Sequence, residues 1–119
     1  IMRNFRELDI WKRSISLSKA IYKLTESFPD REKYGLSIQI QRATVSIASN
    51  IAEGASRKSE IDFARFLEIA IGSSFEVETQ LIIAKEIEYI SKEKYISIQS
   101  ELTIIQKQLN LLIAKIRMK

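Results

Sequence analysis

The side chains that could carry chemistry in this chain are few in kind. The 119 residues contain no histidine and no cysteine, which removes thiolate nucleophiles, the usual zinc ligands and the commonest general base. Ser73 and Ser74 lie in a run of small residues, but they have no histidine partner and no Gly-x-Ser-x-Gly motif. We therefore expect no catalytic residue, no cofactor and no enzyme activity.

Carboxylates and one lysine are the remaining reactive candidates. Glu76 and Glu78 are two residues apart in a predicted helix, so they point to different sides and are poorly placed to share a cation. We expect no metal site. Lys85 lies near the apolar stripe of the same helix. If the protein were an enzyme that uses lysine or carboxylate side chains, Lys85 would be the lysine to test. We expect Lys85 to be inert.

The stronger chemical signal is the distribution of charge. The chain has 19 lysines and arginines against 15 acidic residues, for a formal net charge of +4. Residues 1–52 contain nine basic and five acidic side chains, residues 53–101 six and ten, and residues 102–119 four and none. A basic region of this kind either binds phosphate backbones through counterion release or simply keeps a helical protein soluble.

The sequence predicts long helices to position these groups. Three glycines and one proline are few, which favours helices over a turn-rich β fold. The first helix covers about residues 8–27 and ends before Pro29, because proline disfavours helix at the residue preceding it. The second covers residues 31–53 or 34–53, and Gly54 is predicted to stop it in the left-handed conformation.

Two further helices are predicted in the second half of the chain. Ser59 and Asp62 form a weak capping box that opens the third helix, and the fourth has a 3.5-residue apolar repeat. The apolar stripes of helices two to four are Leu36, Ile40, Ala43, Ile47, Ile51; Phe63, Leu67, Ala70, Val77, Leu81, Ala84; and Tyr95, Ile98, Leu102, Ile105, Leu109, Leu112, Ile116. With short connections, these helices predict an all-α, antiparallel up-down-up-down four-helix bundle that occupies residues 1–119 as a single domain.

Helices three and four carry apolar residues beyond the stripe that one bundle core requires. These are Ile71, Phe75, Ile82, Ile104 and Leu111. They either widen the core contact or form a subunit interface. The interface is favoured because monomers seldom expose large contiguous apolar patches, so we expect a homo-oligomer.

In an up-down-up-down bundle, the N-terminus, the turn between helices two and three, and the C-terminus share one end, here named the basic end. The cations predicted there are Arg3, Arg6, Lys12, Arg13, Arg57, Lys58, Arg65, Lys115, Arg117 and Lys119. The acidic residues predicted with them are Glu7, Asp9, Glu53, Glu60 and Asp62. This end is the candidate nucleic-acid-binding site, although we find no helix-turn-helix motif, aromatic stacking platform or glycine-rich phosphate loop.

Asn50 and Glu53 in the second helix are expected to have structural roles. Asn50 falls close to the apolar stripe, so its amide must find a partner, either in the turn that follows or in helix three. Glu53 is expected to pair with Arg42, with Arg57 or with a neighbouring subunit.

Residues along essentially the whole chain match the sequence pattern of a known protein family. They are Phe5, Leu8, Trp11, Phe28-Pro29, Glu32, Tyr34-Gly35-Leu36, Gln39, Ile40, Arg42-Ala43, Ser46-Ile47, Asn50-Ile51-Ala52-Glu53-Gly54, Ser59, Phe63, Phe66-Leu67, Ala70, Gly72-Ser73, Glu76, Glu78 and Gln80-Leu81. In these positions the chain resembles the bacterial four-helix-bundle proteins first noted as open reading frames within intervening sequences of 23S ribosomal RNA genes, often labelled ribosomal-protein-like. Ala48-Ser49 departs from the family's usual Pro-Ala, which should alter local bending more than the fold.

The resemblance implies a ring-like homo-oligomer, commonly a pentamer. A related accessory protein of diversity-generating retroelements uses a similar basic bundle to contact reverse transcriptase and RNA. We therefore expect a cytoplasmic, non-enzymatic oligomer that binds RNA through its basic end and has no membrane segment. The alternative is a protein-protein interaction scaffold with no nucleic-acid role, whose basic character is incidental.

Overall fold

Four α-helices make up most of the chain in the computed structural model, which describes residues 3–118. They are α1 (Asp9–Thr25), α2 (Leu36–Ala55), α3 (Glu60–Glu86) and α4 (Lys92–Arg117). Short 3-10 helices at Phe5–Glu7 and Asp30–Glu32 precede α1 and α2. The described residues contain no β-strand, so the prediction of an all-α fold with four helices is confirmed.

Each helix packs on the next one along the chain, and α1 also packs on α4, so the four helices surround one core. In the α3–α4 contact, Gln106 donates to Glu78 at 2.9 Å. Further along α4, Arg117 donates to Glu68, which lies earlier in α3. This reversed order of contacts is compatible with the predicted antiparallel up-down-up-down arrangement.

The core contains most of the apolar positions that the helical spacing predicted. Ile15 and Tyr22 of α1 are exceptions, because they follow helical spacing with Leu8 and Trp11 and are nevertheless 45% and 49% exposed. Every residue of the three stripes in α2, α3 and α4 is either buried or packed against the buried cluster. Ile113, which lies outside the predicted α4 stripe, is also buried. The helices therefore bury broader faces than a strict heptad seam would, as is usual for helices in globular proteins.

Gly54 does not end α2 in the predicted way. The helix continues to Ala55, and no glycine among residues 3–118 has a positive φ. A Cβ on Gly54 would lie 2.6 Å from Cβ of Phe66 and 3.1 Å from Cδ1 of Phe63. The glycine is needed because α3 begins so close to the end of α2 that a side chain does not fit between them.

The helix starts are defined by side chains that accept from free backbone N–H groups. Ser59 Oγ accepts from the N–H of Asp62 at 3.1 Å, as the predicted capping box requires, and Ser91 does the same for α4. The start of α2 differs from the predicted one, because Glu32 Oε1 accepts from the N–H of Leu36 at 3.1 Å. The helix therefore begins after the 3-10 turn rather than within it.

Candidate nucleic-acid interface

The basic end is assembled from the N-terminal segment, the α2–α3 turn and the end of α4. Arg3 connects the first two, since its Nη1 donates to the carbonyl oxygen of Arg57 at 3.3 Å and its guanidinium forms an ion pair with Glu60. The same guanidinium lies over the ring of Phe63, 4.4 Å from the ring centroid. Arg3 thus holds the N-terminal segment on the turn, and little of its side chain remains accessible.

Three other predicted cations are paired with carboxylates. The pairs are Arg13–Asp9 at 2.7 Å, Arg117–Glu68 at 2.6 Å and Arg65–Asp62 at 3.7 Å. The hydrogen bond from Arg117 lowers the pKa of Glu68, and hydrogen bonds from Gln108 and Arg13 lower the pKa of Asp9. Both carboxylates therefore stay ionised at neutral pH, and each neutralises part of the charge of its arginine.

The acidic partner of Arg117 was missing from the sequence-based description of this end. Glu68 lies in α3 and Arg117 near the end of α4, 49 residues apart in the chain. The contact of α3 with α4 brings the two together, so the positive excess at the basic end is smaller than predicted. Lys119, the last predicted cation, lies outside the described residues.

A second group of predicted cations is exposed and forms no ion pair within residues 3–118. Its members are Arg6, Lys12, Arg57, Lys58 and Lys115. They come from the N-terminal segment, the start of α1, the α2–α3 turn and the last turn of α4. The basic end therefore keeps a set of open cations after its internal pairs are formed, and these are the groups that a phosphate could reach.

Two of the open cations are held over aromatic rings. The guanidinium carbon of Arg6 lies 4.4 Å from the centroid of Phe5, and that of Arg57 lies 4.7 Å from the centroid of Phe66. The ring of Phe5 in turn packs edge-on against Trp11, with 5.2 Å between centroids. Sequence reasoning missed these platforms because the rings and the arginines follow no common spacing along the chain.

The predicted subunit-interface residues are mostly exposed. Leu111 is 71% and Phe75 53% exposed, and Ile82 and Ile104 are also accessible. Ile71 differs, because it is partly buried and packs against the core. The same two helices expose further apolar residues that were not predicted, namely Ile61, Ile69, Ile83 and Ile96, and Ile87, which directly follows α3, is exposed as well. The apolar surface of α3 and α4 is thus larger than the sequence indicated.

Asn50 has a different partner from the predicted ones. Its Nδ2 donates to the carbonyl oxygen and the hydroxyl of Ser46, one turn earlier in α2, at 2.8 and 2.9 Å. The Ser46 hydroxyl is 2.9 Å from the hydroxyl of Ser73, so the link to α3 is indirect. Glu53 is exposed, and within the described range neither arginine predicted to pair with it does so.

The other reactive candidates are engaged in ordinary packing. Ser73 is buried in its contact with Ser46, and Lys85 Nζ lies 4.5 Å from the ring centroid of Tyr95. Among residues 3–118, no cluster of three or more metal-ligating side chains could hold an ion. The helices of this part of the chain also include none with a stretch long and apolar enough to cross a membrane.

Comparison with known proteins gives matches to a protein family and to solved structures. The family described as 23S rRNA-intervening sequence protein matches residues 6–111. The 1.70 Å crystal structure of a protein of unknown function from the S23 ribosomal protein family of Bacteroides thetaiotaomicron is also similar, with 32% sequence identity and a TM-score of 0.79. That match covers 87% of this chain and 97% of the other. None of the curated proteins matches the chain.

Proposed function

This chain belongs to the 23S rRNA-intervening sequence protein family, and we propose that it is a non-enzymatic homo-oligomer that binds RNA through its basic end. The proposal takes residues 1–119 as one domain, an up-down-up-down bundle acting in the cytoplasm. The observation that carries it is the set of open cations on the N-terminal segment, the start of α1, the α2–α3 turn and the last turn of α4.

Phosphate binding follows from the state of these cations. A lysine or arginine that is exposed and unpaired can contact a phosphate and release a condensed counterion, without reading base sequence. Arg57 and Lys58 are adjacent in the α2–α3 turn, and both are exposed. The names of the matching families refer to ribosomal RNA and ribosomal proteins, which supports RNA as the polyanion, while the physical argument comes from the charges.

Binding of a labelled structured RNA across a salt series tests this function, with the mass of the protein measured by light scattering. Affinity should fall steeply as salt rises. The double variant Arg57→Ala with Lys58→Ala should weaken binding and reduce the salt slope by about two, roughly one for each lost phosphate contact. Absent binding at low ionic strength, or binding that salt does not change, would contradict the proposal.

Self-association is tested at the exposed apolar surface of α3 and α4. Leu111→Glu should leave the fold intact because the side chain is exposed, but it places a charge in the proposed interface and should dissociate the oligomer, which is a pentamer by family resemblance. Tyr34→Glu is the matched control, since Tyr34 is 82% exposed and lies outside these helices. Light scattering should show a reduced mass for the first variant and an unchanged mass for the second.

The second candidate function is a scaffold that binds another protein. It is favoured by the number of apolar side chains that α3 and α4 leave exposed, because a protein partner would cover them as well as a second copy would. A defined protein complex that survives nuclease treatment, together with RNA binding that is negligible at low salt, would favour the scaffold over the RNA-binding oligomer.

A further inference from the structure

Arg6 and Arg57 differ from Arg3 in what surrounds the guanidinium. All three lie over aromatic rings, at 4.4 to 4.7 Å from the ring centroids. Arg3 uses its N–H groups inside the protein, on Glu60 and on a backbone carbonyl. Arg6 and Arg57 are exposed, and within residues 3–118 neither forms an ion pair. Their guanidinium groups are therefore positioned by a ring yet open to solvent.

We propose that Arg6 and Arg57 are stacking platforms for unpaired RNA bases, so that the basic end binds single-stranded RNA in preference to duplex RNA. This inference rests on the proposed RNA-binding function and specifies its ligand. The guanidinium carbon of each arginine lies over a phenyl ring, at 4.4 and 4.7 Å from its centroid, and a guanidinium is a planar, delocalised cation on whose accessible face a base can stack. Arg6 Nη1 donates to Asn4 Oδ1 at 3.4 Å, and its other N–H groups can contact the phosphate of the same or the next nucleotide, as can the N–H edge of Arg57.

The underlying rings reduce the cost of binding. A free arginine side chain loses rotamer freedom when it is fixed against a ligand, whereas the cation–π contacts with Phe5 and Phe66 already restrict Arg6 and Arg57. Phe5 is itself supported by Trp11. The two platforms are thus held by the packed part of the protein and not by the ligand alone.

The preference for single strands follows from which base faces are accessible. In an A-form duplex the faces of the bases are covered by their neighbours, and protein contacts are largely to phosphates and 2′-hydroxyls. A stacking platform then contributes nothing, and only the phosphate contacts remain. In a single strand the bases are free to stack on Arg6 and Arg57, and because purines offer the larger face, oligo(A) should bind better than oligo(U).

The experiment compares three labelled probes on the full chain at one salt concentration: oligo(A) and oligo(U) of about 15 nucleotides, within the reach of known single-strand sites, and an RNA duplex of equal length. Wild type should bind oligo(A) more tightly than oligo(U), and both more tightly than the duplex. Arg57→Lys and Arg6→Lys keep the charge but lose the planar face. Each should weaken single-strand binding by about fivefold or more, the effect of one lost base stack, and leave duplex binding within about twofold.

Lys58→Ala is the matched control, because Lys58 is exposed beside Arg57 and its ammonium contacts no aromatic ring within residues 3–118. It should weaken all three probes equally at that salt concentration and, when the measurement is repeated across a salt series, lower the salt slope by about one. Circular dichroism checks that the surface variants remain folded.

Two results would overturn the inference while leaving the proposed function in place. One is salt-dependent binding in which Arg6→Lys and Arg57→Lys bind single strands as wild type does. The other is wild-type binding of the duplex as tightly as of oligo(A). Absence of wild-type binding to all three probes at low salt would remove the proposed function, and the stacking platforms with it.

Discussion

The two ends of the helical assembly treat their charged groups differently. At the end formed by the α1–α2 and α3–α4 connections, here named the far end, Glu32 is enclosed by donors. The hydroxyl of Tyr89 donates to it at 2.7 Å and the N–H of Leu36 at 3.1 Å. Arg31 donates to the Tyr89 oxygen at 3.4 Å, and the ring of Phe28 lies 5.4 Å from the Tyr89 ring. In this group, Glu32, Tyr89 and Arg31 form hydrogen bonds with one another.

At the basic end the internal pairs leave a surplus of one sign. Arg3 and Arg117 are held by carboxylates, whereas Arg57 and Lys58 are exposed and have no ion pair in the described chain. The carboxylates of the basic end do not neutralise this surplus of positive charge, so solvent ions or a bound partner must balance it. The comparison therefore separates the group around Glu32 at the far end, in which polar side chains bond to one another, from the open cations of the basic end, which remain available for binding.

The largest expected effect concerns the contact beneath the basic end. Gly54→Ala places a Cβ 2.6 Å from Cβ of Phe66, an atom next to the backbone that cannot move alone. Relief of this overlap must separate α2 from α3, and we expect a loss of about 1–3 kcal/mol in the free energy of unfolding. Because Phe66 supports Arg57, RNA binding should weaken as well. Urea denaturation followed by circular dichroism measures the loss.

Gly72→Ala is the control for this substitution. Gly72 lies within α3 and is exposed, and a Cβ built on it would meet no atom within 4 Å among residues 3–118 beyond its chain neighbours and the adjacent helix backbone. Replacement should stabilise the helix by about 0.5–1 kcal/mol through the higher helix propensity of alanine. If Gly54→Ala were equally stabilising, the close approach of α2 and α3 would be wrong, and with it the support of Arg57 by Phe66.

A smaller effect is expected from the enclosed carboxylate at the far end. The pKa of Glu32 lies below the ordinary value of a glutamate. The largest cause is the hydrogen bond from Tyr89, and the second is the hydrogen bond from the N–H of Leu36. A carboxyl whose pKa is lower in the folded than in the unfolded state stabilises the protein above the unfolded pKa, and this contribution disappears as the pH falls through the folded pKa. Glu32→Gln should therefore be less stable than wild type at neutral pH, and the difference should shrink on acidification below about pH 5.

Tyr89→Phe tests the same arrangement from the donor side. It removes the largest cause of the lowered pKa of Glu32, so the loss of stability in acid should be shallower than in wild type. Urea denaturation at several pH values between neutral and acidic measures both variants. Identical pH profiles for wild type, Glu32→Gln and Tyr89→Phe would show that the far end does not stabilise the fold through its carboxylate.

The helices and the core were predictable because burial repeats along the chain with the period of the helix. Leu102, Ile105 and Leu109 of α4 follow that period and are fully buried. The role of Gly54 was not predictable in the same way. A glycine near a helix end is required either because the backbone has a positive φ or because another element approaches closely. For Gly54 the reason is the position of Phe66 in space, which the local sequence does not reveal.

The basic end was predictable in its location and not in its pairing. The expected topology was sufficient to place the N-terminal segment near the α2–α3 turn, and the contact of Arg3 with the Arg57 carbonyl agrees with it. The pairing of Arg117 with Glu68 depends on the register of α4 against α3. A slip of one residue would turn either side chain by about 100 degrees and break the pair, and such a register is not visible in a single sequence.

The smallest expected effect separates the position of charge from its total. Lys92 and Lys94 lie exposed in the first turn of α4, at the far end, and form no ion pair within residues 3–118. Lys92→Ala with Lys94→Ala removes two positive charges, as many as Arg57→Ala with Lys58→Ala removes at the basic end. The far-end variant should change the salt slope of RNA binding by less than about half a unit, against about two for the basic-end variant.

The far-end substitution should also stabilise the fold slightly, because cations are unfavourable at the N-terminus of a helix. The measurement is the RNA salt series on both double variants, after circular dichroism has shown that both are folded. Equal weakening by the two variants would mean that RNA responds to the total charge of the chain. The difference in charge pairing between the two ends would then concern only the stability of the fold, and the basic end would not be the RNA-binding site.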